Sequence, residues 1–274
     1  MESIKEYFSA DHDFHRILLL FGSMLIFWNI ESLAAVTLNY KKWKHALTNS
    51  FFIFTAAPVQ FLLGVALTKT ISWEELHHVG LFYWIPALSN DWIKLIGAFV
   101  ALDFFEYVYH VIMHKVKTLW MFHAVHHSDR VVDVSCTLRE HPGETFVRLS
   151  FSVLWIFILG APFWVVVIHQ FFQILANVFA HSNFRLPEKI NRVVSLLFVT
   201  PNFHHVHHHY KQPYTNCNYG DILSIWDRLL GSFAELETSK TVFGIDTVMD
   251  PKENANFLKL IKLPFGKYRS PENE

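Results

Sequence analysis

Three runs of histidine constrain this chain more than any other feature: His110 and His114 in HVIMH, His123, His126 and His127 in HAVHH, and His204, His207 and His208 in HHVHH. Within each run the imidazoles stand three or four residues apart. That spacing brings side chains to one face of a helix, so each run can aim several nitrogens at one point. A fold for this chain must therefore carry short helices, distant in sequence, to a common place. These eight imidazoles exceed what one metal takes, because a structural zinc is satisfied by four ligands and a catalytic zinc by three protein ligands. Two metal ions are the economical expectation. Imidazole suits zinc, copper, iron and nickel alike, and no thiolate set selects among them.

The rest of the chain is apolar. Of its 274 residues 52% are hydrophobic, with 27 Phe and 9 Trp, and the mean hydropathy is +0.24, which points to the membrane class. A membrane-crossing helix needs about 20 mostly apolar residues. Stretches that meet this run from Arg16 to Leu38, Ser50 to Thr68, Trp92 to Met113 and Val147 to Ala180. The last is broken at Gly160-Ala161-Pro162 and reads as a hairpin of two helices, the first of them short for a full crossing. The fold class expected is an all-α, polytopic integral membrane protein with a cytoplasm-facing, histidine-rich metal-binding cap.

Charge and cysteine usage exclude other classes. The 23 basic side chains form no long single-sign stripe, so nucleic acid is not an expected partner. Cys136 and Cys217 have no CxxC spacing and suggest neither a disulfide framework nor a thiolate site. The N-terminus carries Glu2, Glu6, Asp11 and Asp13 against Lys5 and lacks the cationic region and cleavage site of a signal peptide, so it is expected to be retained. Lys41, Lys42 and Lys44 follow the first span, which by the positive-inside rule makes that loop cytoplasmic. Following the chain from there carries all three histidine runs to the cytoplasmic side.

Polar residues inside apolar stretches are costly and tend to be functional. Asp103 and Glu106 share a helix face with His110, and the role expected of either is to accept the distal N–H of a ligating imidazole, fixing its tautomer. Gln170, Gln173, Asn177 and His181 make a polar stripe down the second hairpin helix, with His181 as a ninth candidate ligand. His141 lies in RxHPxE, formed by Arg139, His141, Pro142 and Glu144, and is open to a ligand role or a supporting one. His205 and His209 are rotated away from their run and suit substrate or supporting contacts. His169 reads as a hydrogen-bonded structural histidine. His12, His15, His45, His77 and His78 follow no pattern and are expected at the surface or the membrane interface. Trp120, Tyr210 and Tyr214 are expected at the membrane interface.

The order HxxxH, HxxHH, HxxHH, with Thr200-Pro201 before the last run and NYG (Asn218 to Gly220) and WDRLLGSF (Trp226 to Phe233) after it, resembles the fatty acid hydroxylase and sterol desaturase superfamily over roughly Gly97 to Phe233. The resemblance implies a non-haem di-iron centre that activates O2 to oxidise an unactivated lipid C–H bond. It carries ligand roles to His110, His114, His123, His126, His127, His181, His204, His207 and His208, and none firmly to Asp103, Glu106 or Asn218. On this reading 1–91 are N-terminal membrane helices, 92–235 a histidine-box catalytic domain with the membrane hairpin, and 236–274 a C-terminal cytoplasmic tail. Two Fe ions, O2 and a separate electron donor are implied, since no Rossmann fingerprint, flavin domain or ferredoxin cysteine set is present. That donor would be a cytochrome, ferredoxin or reductase. The expected activity is hydroxylation of a fatty acyl, sphingoid or sterol-like lipid in a bacterial inner membrane or the endoplasmic reticulum, with desaturation as the alternative. A metal-transport or metal-storage membrane protein is the rival of another class; a metalloprotease would want HExxH, which is absent.

Overall fold

The computed structural model describes residues 1–9, 12–37 and 39–272, and for His12, Asp13 and Thr238 the backbone alone. Leu38, the last residue expected of the first span, and the side chain of His12 lie outside the described residues. Helices α1 (Glu2–Ser9) and α2 (His12–Ala34) lead into α3 (Lys42–His77), which at 1.5 Å per residue is about 54 Å long. After a turn of helix, α4 (Leu81–Trp84), come α5 (Asp91–Lys115), α6 (Lys117–His127) and the hairpin α7 (Pro142–Leu159) and α8 (Phe163–Ala180). Five short helices complete the chain: α9 (Glu188–Val194), α10 (Pro201–His207), α11 (Ile225–Leu230), α12 (Pro251–Asn254) and α13 (Phe257–Lys262). Among the described residues β-structure is limited to two isolated bridges, Phe198 with Leu223 and His209 with Phe243.

Among the described residues, five helical segments are long and apolar enough to cross a membrane: Phe14–Ala34, Lys42–Trp84, Asp91–Lys115, Pro142–Leu159 and Phe163–Ala180. They overlap every stretch expected from the sequence, the first ending at Ala34 and so short of the expected Leu38, and the chain reads as a multi-pass membrane protein. Phe21, Leu25, Ile26, Phe54, Phe61 and Leu62 on α2 and α3 are exposed, an apolar surface that water would not tolerate at this scale and that lipid would cover. One expectation is corrected. The first hairpin helix is not short, because it begins at Pro142 and has the same 18 residues as the second. Pro142 occupies the first helical turn, where its missing N–H costs nothing, and the His141 ring accepts the Gly143 N–H as a cap.

The α7–α8 turn packs against the turn before α4. Gly80 (φ 114°) and Gly160 (φ 64°) both adopt the left-handed region, and a Cβ on Gly80 would stand 2.3 Å from the Gly160 nitrogen. Only glycine satisfies both demands. Around this contact Leu67, Ile71, Phe82, Leu102, Ile156 and Trp164 form the main apolar core. The histidine runs sit at the other end, where α5 and α8 finish and α3 and α7 begin. There the last stretch of the chain is folded down on α6: Ile245, Val248, Leu260 and Leu263 bury against Trp120, Met121, Ala124 and Val125. Each such side chain contributes on the order of 1.5–3 kcal/mol relative to exposure. Trp120 is accordingly not an interfacial residue; it is buried and donates its indole N–H to the Arg269 carbonyl.

Candidate metal centre

Local structure explains how the histidine runs meet. Between α5 and α6 a single extended residue, Val116, breaks the helix, so α6 turns back and its face with His123 and His127 opposes His110 and His114 on α5. Thr200 caps α10 by accepting the Phe203 N–H, and Pro201 takes the first helical position. The Thr-Pro pair thus fixes where α10 starts and which way His204, His207 and His208 point. His181 stands at the C-terminal end of α8.

The nine imidazoles collect into two groups. His110, His114, His123, His127 and His207 form one; His126, His181, His204 and His208 form the other, and within each the candidate ligand nitrogens all lie within 4.8 Å of one another. The doublets have a geometric purpose. Neighbouring helical residues point about 100° apart, so His126 and His127 serve different groups, as do His207 and His208. The groups adjoin, with the His127 and His208 rings stacked at 4.6 Å between centroids.

Hydrogen bonds on the far side of the rings fix which nitrogen faces inward. The Nδ1–H groups of His110, His181 and His207 donate to the backbone carbonyls of Tyr219 (2.8 Å), Asn177 (2.8 Å) and Cys217 (2.6 Å). The Nδ1–H of His123 donates to the Glu144 carboxylate. Since a backbone carbonyl carries no proton, the Nε2 of His110, His181 and His207 is left as a bare lone pair. Yet the Nε2 atoms of His110 and His123 are 3.0 Å apart, and that of His181 lies 3.1 Å from His126 Nε2 and 3.0 Å from His204 Nε2. His114 Nε2, His207 Nε2 and both His127 nitrogens are sealed without a partner. Facing lone pairs repel and buried unpaired nitrogens are costly unless a cation lies among them. The donor set fits imidazole-bound metal, with four of the inward rings oriented by a backbone carbonyl or carboxylate behind them.

Burial keeps these rings neutral. It pushes His123 down to about 3 and His181 to about 4, and holds His126, His127, His204, His207 and His208 well below the usual histidine value, with the neighbouring imidazoles adding to the effect. A neutral imidazole is the ligating form.

Other residues singled out in the sequence have different work. Asp103 does not meet a histidine: it accepts the Ile222 N–H (3.1 Å) and the Trp226 indole N–H (2.7 Å), tying α5 to α11 and the segment before it. Glu106 accepts a hydrogen bond from Ser152 at 3.3 Å. His141 lies outside both groups, with its ring nitrogens on Gly143 N–H and the Ile261 carbonyl. Asn177 supports His181 through its backbone, while its side chain donates to Asp221 (2.7 Å). Asn218 (φ 53°) latches the Phe203 and Ala234 carbonyls. His205 is buried beside Phe243, away from both groups. His169 is buried in α8 against Phe99, its Nε2 without a partner rather than hydrogen-bonded. His45 is not a surface residue: its Nε2 is 2.8 Å from Asp129 and its Nδ1 3.0 Å from Asp133, both buried. The carboxylate that supports a metal-facing ring is Glu144, and Asn216 supports His114 at 3.2 Å. Sequence reasoning quoted Glu144 in RxHPxE without giving it a role; its position one helical turn after His141, the cap of α7, is the signal that was there to use.

The fatty acid hydroxylase family profile matches residues 95–232. The chain belongs to the fatty acid hydroxylase family. Among curated proteins it is 30% identical to human alkylglycerol monooxygenase over 204 residues, 73% of this chain and 43% of that protein. It is 31% identical to an ornithine lipid hydroxylase of Rhizobium tropici over 188 residues, 66% of this chain and 55% of that protein. Human cholesterol 25-hydroxylase is 28% identical over 132 residues, 48% of this chain and 47% of that protein. The chain thus spans about half the length of these relatives. No solved structure matches it significantly. The family match begins within α5 and ends just after α11, so it contains all nine clustered histidines.

Proposed function

We propose that this member of the fatty acid hydroxylase family is an integral membrane di-iron oxidoreductase that uses O2 to hydroxylate a lipid C–H bond. The observation that carries the reading is the pair of adjoining imidazole groups with their lone pairs turned inward, in a chain whose relatives are named hydroxylases and monooxygenases of lipids. His110, His114, His123, His127 and His207 would hold one iron and His126, His181, His204 and His208 the other. Bound there, the pair of irons supplies the oxidising chemistry. In the overall reaction one atom of O2 enters the C–H bond and the other leaves as water, with two electrons and two protons delivered from outside. A separate cytochrome, ferredoxin or reductase is the donor.

The chain's own residues orient and protect. Glu144 and the Tyr219, Asn177 and Cys217 carbonyls hold four rings in the tautomer that faces inward. The C-terminal stretch over α6 excludes water from the outer side, which protects a reactive intermediate. Lys41, Lys42 and Lys44 lie at the histidine end of the bundle, which orients that end to the cytoplasm of a bacterial inner membrane or of the endoplasmic reticulum. In domain terms 1–91 anchor the chain, 92–235 carry the catalytic groups, and 236–274 form the cytoplasmic cover. Metal transport is disfavoured, because the imidazoles are gathered at one end and not distributed along the membrane-crossing helices. Iron quantification tests the proposal: about two Fe per chain are expected in purified protein, with loss of iron and turnover in His207→Ala. A wild-type protein that binds no iron would sink it.

A further inference from the structure

The C-terminal stretch that folds down on α6 has an outer side of its own. Between Glu253 and Glu272 it contains no acidic residue, and it carries Lys259, Lys262, Lys267 and Arg269. Arg269 is engaged by the Glu253 carboxylate at 2.8 Å and the Thr247 carbonyl at 3.2 Å. The three lysines are exposed, and among the described residues their ammonium groups meet no carboxylate.

Lysines alone would make an ordinary solvated face, but two large apolar residues stand among them. While Leu260 and Leu263 bury against α6, Leu258 is 67% and Phe265 76% exposed. Leu258 and Lys262 lie one helical turn apart, and Phe265 ends the tighter turn, Leu263–Phe265, that continues α13. These residues are continuous with surface that lipid covers. Phe54, 73% exposed on the membrane-crossing α3, lies 6.5 Å from Phe51 between ring centroids, and Phe51 lies 5.6 Å from Phe257 at the start of α13. Phe52 completes the seat at 5.0 Å from Phe257. Phe51 and Phe52 open the apolar run of α3 that begins at Ser50, just beyond Lys41, Lys42 and Lys44. So α13 is held against α3 at the boundary between charged chain and hydrocarbon.

We propose that residues 256–268 are an interfacial strap whose partner is the anionic lipid surface of the membrane the protein occupies. Leu258 and Phe265 enter the edge of the hydrocarbon, as the apolar residues of in-plane helices do, and Lys259, Lys262 and Lys267 meet lipid phosphates. Lys115 and Lys117, exposed at the turn into α6, extend the basic row, with the Lys117 ammonium 5.5 Å from the centre of the Tyr268 ring. The inner side of the strap buries Leu260 and Leu263 against Trp120 and its neighbours, and the Trp120 ring is 4.9 Å from that of His114. Anionic lipid thus holds down the cover of one imidazole group. A soluble acidic protein would engage the lysines but has no use for apolar residues that continue the lipid-facing rings of α3.

Amide hydrogen exchange of the full chain in lipid nanodiscs tests this independently of iron and turnover. In discs of phosphatidylcholine with about one third phosphatidylglycerol, exchange at 256–268 is expected to be about tenfold or more slower than in phosphatidylcholine alone. High salt should remove the difference by screening, and amides of α5 should exchange alike in both discs. Replacing the three lysines together, Lys259→Gln, Lys262→Gln and Lys267→Gln, should also abolish it. Equal exchange of the wild type in the two discs, or a difference that persists in high salt or in the triple variant, would overturn the inference. Slowing by added polyaspartate but not by phosphatidylglycerol would assign the lysines to an acidic protein and overturn it equally. The salt series uses the unaltered chain, so it decides the matter even where the variant fails to fold.

Discussion

A histidine is worth what its second nitrogen touches. His123 faces inward because Glu144 takes its other proton, and Glu144→Gln is predicted to lower turnover by about 10 to 100-fold and to weaken iron binding. Turnover and iron content measured side by side check this. Asp103, for which the sequence suggested that role, holds Ile222 and Trp226 instead. Asp103→Asn should therefore cost about 1–3 kcal/mol of stability and leave the iron content of the folded fraction intact, as read by thermal unfolding and iron analysis. The burial that keeps the clustered rings neutral sets a pH dependence for the metal-free protein. With His123 at about 3 and His181 at about 4 when folded, and about 6.5 when unfolded, the unfolded chain binds more protons between those limits. Stability then falls as pH drops below about 6.5 and is fully present above it. A thermal midpoint that stayed level from neutrality to acid would contradict this.

At the scale of helices and turns, local signals were legible and long-range ones were not. The apolar stretches, the Gly160-Ala161-Pro162 break and the three-and-four spacing of the histidines are written in neighbouring residues, and the structure has the corresponding helices, break and shared faces. The start of α7 was misplaced because capping by His141 overrode the apolar count. Contacts that join distant segments gave no such signal: His45 meets carboxylates at 129 and 133, and the polar stripe of α8 meets Asp221. The cap on α7 is separable from the metal groups. His141→Ala is predicted to cost about 1 kcal/mol with unchanged iron, and loss of iron in that variant would bring His141 back as a ligand. At the opposite end, Gly160→Ala puts a Cβ 2.6 Å from the Val79 carbonyl oxygen and at a positive φ. A destabilisation of about 1–3 kcal/mol is expected there, measured as a lower thermal midpoint.

Across the whole molecule, apolar helices form one end and carry the other, where helix ends, two short histidine helices and a folded-down C-terminal stretch assemble the imidazole groups. On the proposed hydroxylase reading, the apolar end holds the chain in lipid and the imidazole end carries the chemistry. The most direct test compares the lipids of cells making the wild type with those of cells making His207→Ala, grown under O2 labelled with heavy oxygen and analysed by untargeted mass spectrometry. The account predicts a lipid that gains one labelled oxygen atom with the wild type alone. A lipid that instead loses two hydrogens, or identical lipids from both cells although the wild type carries its iron and a competent electron donor is supplied, would contradict it.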